Sequence, residues 1–213
     1  MNTRRWLLSA GAIFAGAGAL GAAALHTTRG DTQTSDLVSK LTNDPAVPAL
    51  GNPVGRVALV EFFDYRCPYC RIMQPRLDEL LAKHTEVRLV LREWPVFGGV
   101  SVDAAKVALA SAWQGRFAAV HAALFGLSRG MDIASIRQAA VTSGMDLAQL
   151  DHDLASRSAE LDKAIGDNTV MARSLGFEGT PGFIVGRYKV PGALSYAQLE
   201  GLVVEAGKQG RAE

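Results

Sequence analysis

At 213 residues, with 48% hydrophobic and 20% charged side chains, the chain can bury a sizeable core and is too apolar for wholesale disorder. A formal charge of +1, from 22 basic and 21 acidic residues, leaves no electrostatic footprint for nucleic acid. Two cysteines exclude a multi-disulfide scaffold and a four-cysteine zinc site, and they stand three positions apart.

Residues 1–24 read as an export signal outside the fold. Arg4 and Arg5 precede an uncharged apolar run from Trp6 to Leu25 that closes on the small residues Ala22, Ala23 and Ala24. An ordinary cleaved signal, a twin-arginine signal over Thr3-Arg4-Arg5-Trp6-Leu7-Leu8 and an uncleaved anchor all fit, since about 20 apolar residues just span a bilayer. Its removal deletes two arginines and no acid, taking the formal charge from +1 to −1. Each form predicts a periplasmic or otherwise extracytoplasmic protein.

Residues 25–56 are polar and turn-rich, with Asp44-Pro45 and Asn52-Pro53, and predict an irregular lead-in. VALVEFF at 57–63 predicts a strand buried on both faces. After the cysteine turn, Met73, Leu77, Leu80 and Leu81 recur at helical spacing to about His84, and VRLVLR at 87–92 alternates as a second strand. From 101 to 175 the patterns are helical, with Gly144 and Gly176 as stops and Asp146 with Gln149 as a capping pattern. Strand character returns at 183–185 and 188–190, and 195–207 predicts a closing helix. A β-α-β unit, a helical block of about 75 residues and a β-β-α unit make an α/β domain carrying an insertion.

The pair Cys67-Pro68-Tyr69-Cys70 admits three chemistries. A metal needs two further ligands, yet His84 has no second histidine within five residues, and His121 and His152 lie in the helical block. A purely structural disulfide closing so short a loop constrains the unfolded chain little. The redox reading has mechanical support: a cysteine opening a helix faces unpaired N–H groups and the positive dipole end, which stabilise its thiolate. Cys67 is then expected to be the exposed, acidic sulfur, and Cys70, one turn in, the buried resolving one.

EFFDYRCPYC at 61–70, Pro75 five residues past the second cysteine, the helical insertion and GTPGF at 179–183 stand in an order that resembles the thioredoxin superfamily. Within it the chain is similar to the exported DsbA-like thiol-disulfide oxidoreductases, over roughly residues 45–205. The resemblance implies a thioredoxin fold (β-α-β … β-β-α) over 57–100 and 176–209 with an inserted all-helical subdomain at 101–175. It implies a cis bond between Thr180 and Pro181, in a loop opposite the cysteines whose backbone, with Pro68 and Tyr69, meets an extended substrate. It implies that Glu61 is a buried acid passing protons to and from Cys70, the other reading being a strand-edge residue in solvent.

No cofactor is implied beyond the Cys67–Cys70 disulfide. The implied partners are folding exported proteins and a membrane redox partner: a quinone-linked oxidase for a disulfide donor, a reductase for an isomerase kept as the dithiol. Pro68 resembles oxidases, whereas Tyr69 and Thr180 also occur in isomerase-like relatives, and the lead-in is long enough for an oligomerising helix. A non-catalytic metal-binding or adhesive surface protein on the same fold is the third possibility. Arg66 stands near the thiolate or in solvent, and Trp94, Trp113, Phe117 and Phe125 read as core.

Overall fold

The computed structural model describes residues 26–27, 39–127 and 130–209; the expected export signal at 1–24 lies outside them. Six strands form one sheet in the order β1-β6-β5-β3-β4-β2. They are β1 (His26–Thr27), β2 (Ala49–Gly51), β3 (Val57–Phe63), β4 (Val87–Glu93), β5 (Gly182–Val185) and β6 (Tyr188–Pro191). Helix α1 (Pro68–Lys83) crosses from β3 to its parallel neighbour β4. The remaining pairings are antiparallel. Between β4 and β5 runs the helical insertion: α2 (Val100–Trp113), α3 (Phe117–Gly126), α4 (Ile133–Thr142), α5 (Leu147–Ser156) and α6 (Ser158–Ser174); α7 (Tyr196–Gln209) closes the chain.

Strand alternation sorts the side chains into two cores. Val57, Leu59, Phe63, Val87, Leu89 and Leu91 face one side, where Met73, Leu77 and Leu80 of α1 and Leu199 and Val203 of α7 cover them. Val60, Phe62 and Val90 face the other, under Ala172 of α6, Leu41 and Trp94. The parallel register sets Glu61 beside Leu91 and Phe63 beside Glu93, so both acids share the α1 side of the sheet.

Caps read from sequence are in place. Asp146 accepts from the N–H groups of Ala148 and Gln149 at the start of α5, and Gly144 and Gly176 take left-handed backbone after α4 and α6.

The lead-in departs from expectation. Residues 25–56 were expected to be irregular, yet they supply β1, β2 and a helical turn over 39–43. Strands of two and three residues are too short to show alternation, and backbone pairing at a sheet edge is what holds them. Gly51 is specific to this arrangement: its φ is +77°, and a Cβ there would lie 2.8 Å from Leu81 Cδ2 and from the Val87 carbonyl.

Candidate active site

β3 ends at Phe63, and the turn Asp64-Tyr65-Arg66 delivers Cys67 to the N-cap of α1, with Pro68 in the first helical turn. Proline suits that turn because the N–H it lacks would have no helical partner there. The buried Asp64 builds the corner. Its carbonyl accepts from Cys67 N at 3.0 Å. Its carboxylate accepts from Arg66 N (2.8 Å), Phe97 N (3.1 Å) and Ser101 Oγ (2.9 Å), tying the cysteine turn to the start of α2. Pro75 lies inside α1, as its spacing from Cys70 suggested.

Both cysteines are thiols and both are buried. The expectation of an exposed Cys67 is corrected: the residue is 3% accessible, because the Thr180-Pro181 loop folds over it. The Thr180–Pro181 bond is cis, and Cys67 Sγ, when protonated, donates to the Thr180 carbonyl at 3.3 Å. Gly182, next in the loop, admits no side chain, since a Cβ there would stand 2.8 Å from the Phe177 ring.

The two sulfurs are driven apart in acidity. Hydrogen bonding from Cys70 is the largest influence lowering the Cys67 pKa from its ordinary 9.0 to about 6, against burial. The Thr180 hydroxyl and the backbone N–H groups of Cys70 and Tyr69 add to the effect. A thiol of pKa near 6 is about nine-tenths thiolate at pH 7. Cys70 goes the other way: burial first, then its bond to Cys67 and the Glu61 charge, push its thiol far up. Replacing Cys70 with alanine removes the principal donor, and the midpoint of Cys67 alkylation against pH is expected to climb from about 6 toward 9. An unmoved midpoint would assign the acidity to the Thr180 hydroxyl and the backbone N–H groups instead.

Glu61 is buried, and neither carboxylate oxygen has a hydrogen-bond partner. Burial, with the Cys67 charge second, raises its pKa well above the ordinary carboxyl range, so it is a neutral acid close to the thiols. Arg66 is exposed and its guanidinium lies over the Phe97 ring, 5.9 Å from the centroid, rather than against a sulfur. Tyr69, Val96 and Phe97 are exposed apolar side chains at the same corner.

His84 caps the far end of α1, where it meets Glu86 and Glu200. A helix of 16 residues puts it about 20 Å from the cysteines, too far for a shared metal. Among the described residues no cluster of three His, Cys, Asp or Glu is arranged to hold a metal ion.

Two buried residues escaped the sequence reading. Glu93 ends β4 on the α1 side of the sheet, and His121 of α3 sits among Phe63, Tyr65, Phe117 and Phe125. The Tyr65 hydroxyl lies 3.1 Å from Glu93 Oε1 and 2.9 Å from His121 Nδ1. The signal for Glu93 was available, because alternation through 87–93 puts it in line with Val87, Leu89 and Leu91. His121 had a weaker one, standing between Phe117 and Phe125 at helical spacing.

Comparison with known proteins agrees with this geometry. The family model of the DSBA-like thioredoxin domain matches residues 58–204. A thioredoxin-like oxidoreductase from Silicibacter pomeroyi DSS-3 is 42% identical, over 80% of this chain and 97% of that one, with a TM-score of 0.76. A periplasmic thioredoxin-like protein from Salmonella enterica serovar Typhimurium is 31% identical, over 80% and 95%, with a TM-score of 0.68. Among curated relatives, Na(+)/H(+) antiporter NhaA 1 of Mycolicibacterium gilvum is 29% identical over 161 residues, 74% of this chain. The chain spans only 26% of that longer protein. With an acidic thiol at a helix N-terminus, a buried partner thiol and a cis-proline loop over them, the chain belongs to the DSBA-like thioredoxin family and is a thiol-disulfide oxidoreductase.

Proposed function

We propose that this protein is exported and donates the Cys67–Cys70 disulfide to folding proteins. A substrate thiolate attacks Cys67 Sγ and the intramolecular S–S bond breaks. Cys70 leaves with the electron pair and takes the proton of the Glu61 carboxyl. A second substrate thiolate then attacks the substrate sulfur of the mixed disulfide, and Cys67 leaves as a stable thiolate. The substrate loses two electrons and the cysteine pair gains them. A membrane partner of the quinone-linked kind restores the disulfide.

The acidity of Cys67 carries this reading. A stabilised thiolate favours the reduced pair, and that makes the disulfide a strong oxidant and Cys67 a good leaving group. Tyr69, Val96 and Phe97 offer apolar contact to an unfolded chain, and the Thr180 backbone beside Cys67 offers main-chain pairing. Export is supported by the basic, apolar and small-residue order of residues 1–24 and by the periplasmic description of the Salmonella protein. No helix among the described residues is long and apolar enough to cross a membrane.

Acid quenching of living cells followed by thiol alkylation tests the poise. A mostly oxidised pair is expected, and Cys70→Ala is expected to accumulate mixed disulfides at Cys67 that Cys67→Ser lacks. A mostly reduced pair would reverse the assignment to an isomerase or reductase supplied by a membrane electron donor. A biological role that survives Cys67→Ser would remove the redox function altogether.

A further inference from the structure

A hydrogen-bonded chain runs from Glu93, on the α1 side of the sheet, to the surface of α1. Glu93 Oε1 lies 3.1 Å from the Tyr65 hydroxyl, which lies 2.9 Å from His121 Nδ1; His121 Nε2 lies 3.2 Å from Gln74 Oε1. Gln74 is partly exposed, and its amide nitrogen donates to Asp78 Oδ1 at 3.0 Å. That bond turns the amide oxygen toward His121.

The proton positions follow by elimination. Gln74 Oε1 only accepts, so His121 Nε2 carries the imidazole proton and donates it. The ring is neutral, its pKa held down to about 3 by burial, so Nδ1 has no proton and accepts from the Tyr65 hydroxyl. Tyr65 has one proton and has given it to His121. Glu93 must therefore hold its own proton and donate to Tyr65 Oη. Burial independently favours that neutral carboxyl. The alternative order, with Tyr65 donating to an ionised Glu93, turns the imidazole to its Nδ1–H form and sets two lone pairs, Nε2 and Gln74 Oε1, against each other.

The two orders differ by one proton. Protonation of Nε2 from the Gln74 end, with transfer of Nδ1–H to Tyr65 Oη and of Tyr65 Oη–H to Glu93, converts the second into the first. We propose that Glu93 is a buried carboxyl held neutral on the face of the sheet it shares with Glu61, its proton supplied from the α1 surface through His121 and Tyr65 with Gln74 covering the outer end.

The proposal rests on thiol exchange at Cys67 and Cys70. Glu61 and Glu93 share one face of the sheet, and a charge on Glu61 disfavours one on Glu93. When Glu61 gives its proton to Cys70 Sγ it becomes a buried carboxylate. A neutral Glu93 keeps that the only charge on the pair. The groups facing Glu93 are Glu61 of β3 and Asp64 and Tyr65 of the cysteine turn; Arg71 of α1 bonds the Tyr65 and Phe125 carbonyls, and His121 comes from α3.

Nitrogen-15 NMR of the histidines in the full dithiol protein tests the proton order. His121 is expected as the Nε2–H form, switching to Nδ1–H or a mixture in Gln74→Leu, a surface change that leaves the buried residues in place. In the infrared, wild-type-minus-Glu93→Gln spectra are expected to show a protonated carboxyl band, shifted in Tyr65→Phe. Tyr65→Phe is also expected to slow reduction of the disulfide by glutathione roughly tenfold at neutral pH, leaving the Cys67 alkylation midpoint in place. A wild-type Nδ1–H imidazole, or a carboxylate band from Glu93, overturns the relay. If Glu93→Gln fails to fold, the Gln74 and Tyr65 variants decide the matter. A wild type that does not exchange with glutathione would defeat the thiol-exchange reading instead, and the spectra judge the relay independently.

Discussion

Replacing Glu61 with leucine is expected to raise the unfolding free energy by about 2 kcal/mol while slowing the steps at Cys70 by on the order of 100-fold. Both carboxyl oxygens of Glu61 are buried without a hydrogen-bond partner, a state that costs about 1–3 kcal/mol for a neutral group. Leucine is of similar volume and fills the place between Leu59 and Phe63 on the covered face of β3. What it cannot do is exchange a proton with Cys70, whose thiol burial holds far from ionisation. Urea unfolding and single-turnover reduction of the disulfide measure the two effects on one sample. Opposite signs, more stable and slower, mark a residue kept for chemistry. A leucine variant that is less stable, with an unaltered rate, would make Glu61 a structural residue with a partner among the surrounding groups.

Substituting His121 by phenylalanine is expected to abolish a large part of the protein's sensitivity to acid. In the unfolded chain this imidazole takes a proton near 6.5, whereas in the native state burial holds its pKa at about 3. Below 6.5 the unfolded state therefore binds more protons, and native stability is lost as the pH falls. The loss amounts to about 4 kcal/mol by pH 3. Glu61 and Glu93 act in the opposite sense: their folded pKa values are raised, so acidification toward 4.5 favours the native state. Below that point they add nothing further. Between about pH 4.5 and 3 His121 still contributes about 2 kcal/mol, and the variant should lack that slope. Phenylalanine suits a site already ringed by Phe63, Phe117 and Phe125. Denaturant titrations across the acid range, compared between the two proteins, decide it; parallel curves would place the acid sensitivity elsewhere.

Much of the fold was legible because its longer elements announce themselves. β3 is a run of seven apolar, β-branched and aromatic residues broken only by Glu61, and α1 repeats its apolar positions every three or four residues. The cysteine corner and the Thr180-Pro181 loop were legible for a different reason, as short motifs in a fixed order whose resemblance carries the cis bond with it. Three things were not legible. β2 is held by pairing with β4 rather than by any pattern of its own. The accessibility of Cys67 depends on a loop 113 residues away, which local helix geometry does not contain. His121 gave no sign of its partners, because Tyr65, Glu93 and Gln74 come from three other segments that only the folded chain brings together.

Arg92 has a mechanical consequence. Its guanidinium, buried on the face of β4 away from the cysteines, donates to the carbonyls of Lys40 and Leu41 in the lead-in and to Asn168 Oδ1 in α6. Asn168 in turn donates to the Glu93 carbonyl. One side chain thus rivets the chain's entry, the last helix of the insertion and a central strand. These three cannot loosen one at a time, and local unfolding of the entry segment would draw on the same cooperative unit that carries Glu93. A pull applied at Ser39 meets Arg92 through the Lys40 and Leu41 carbonyls, on the face of the sheet away from the thiols.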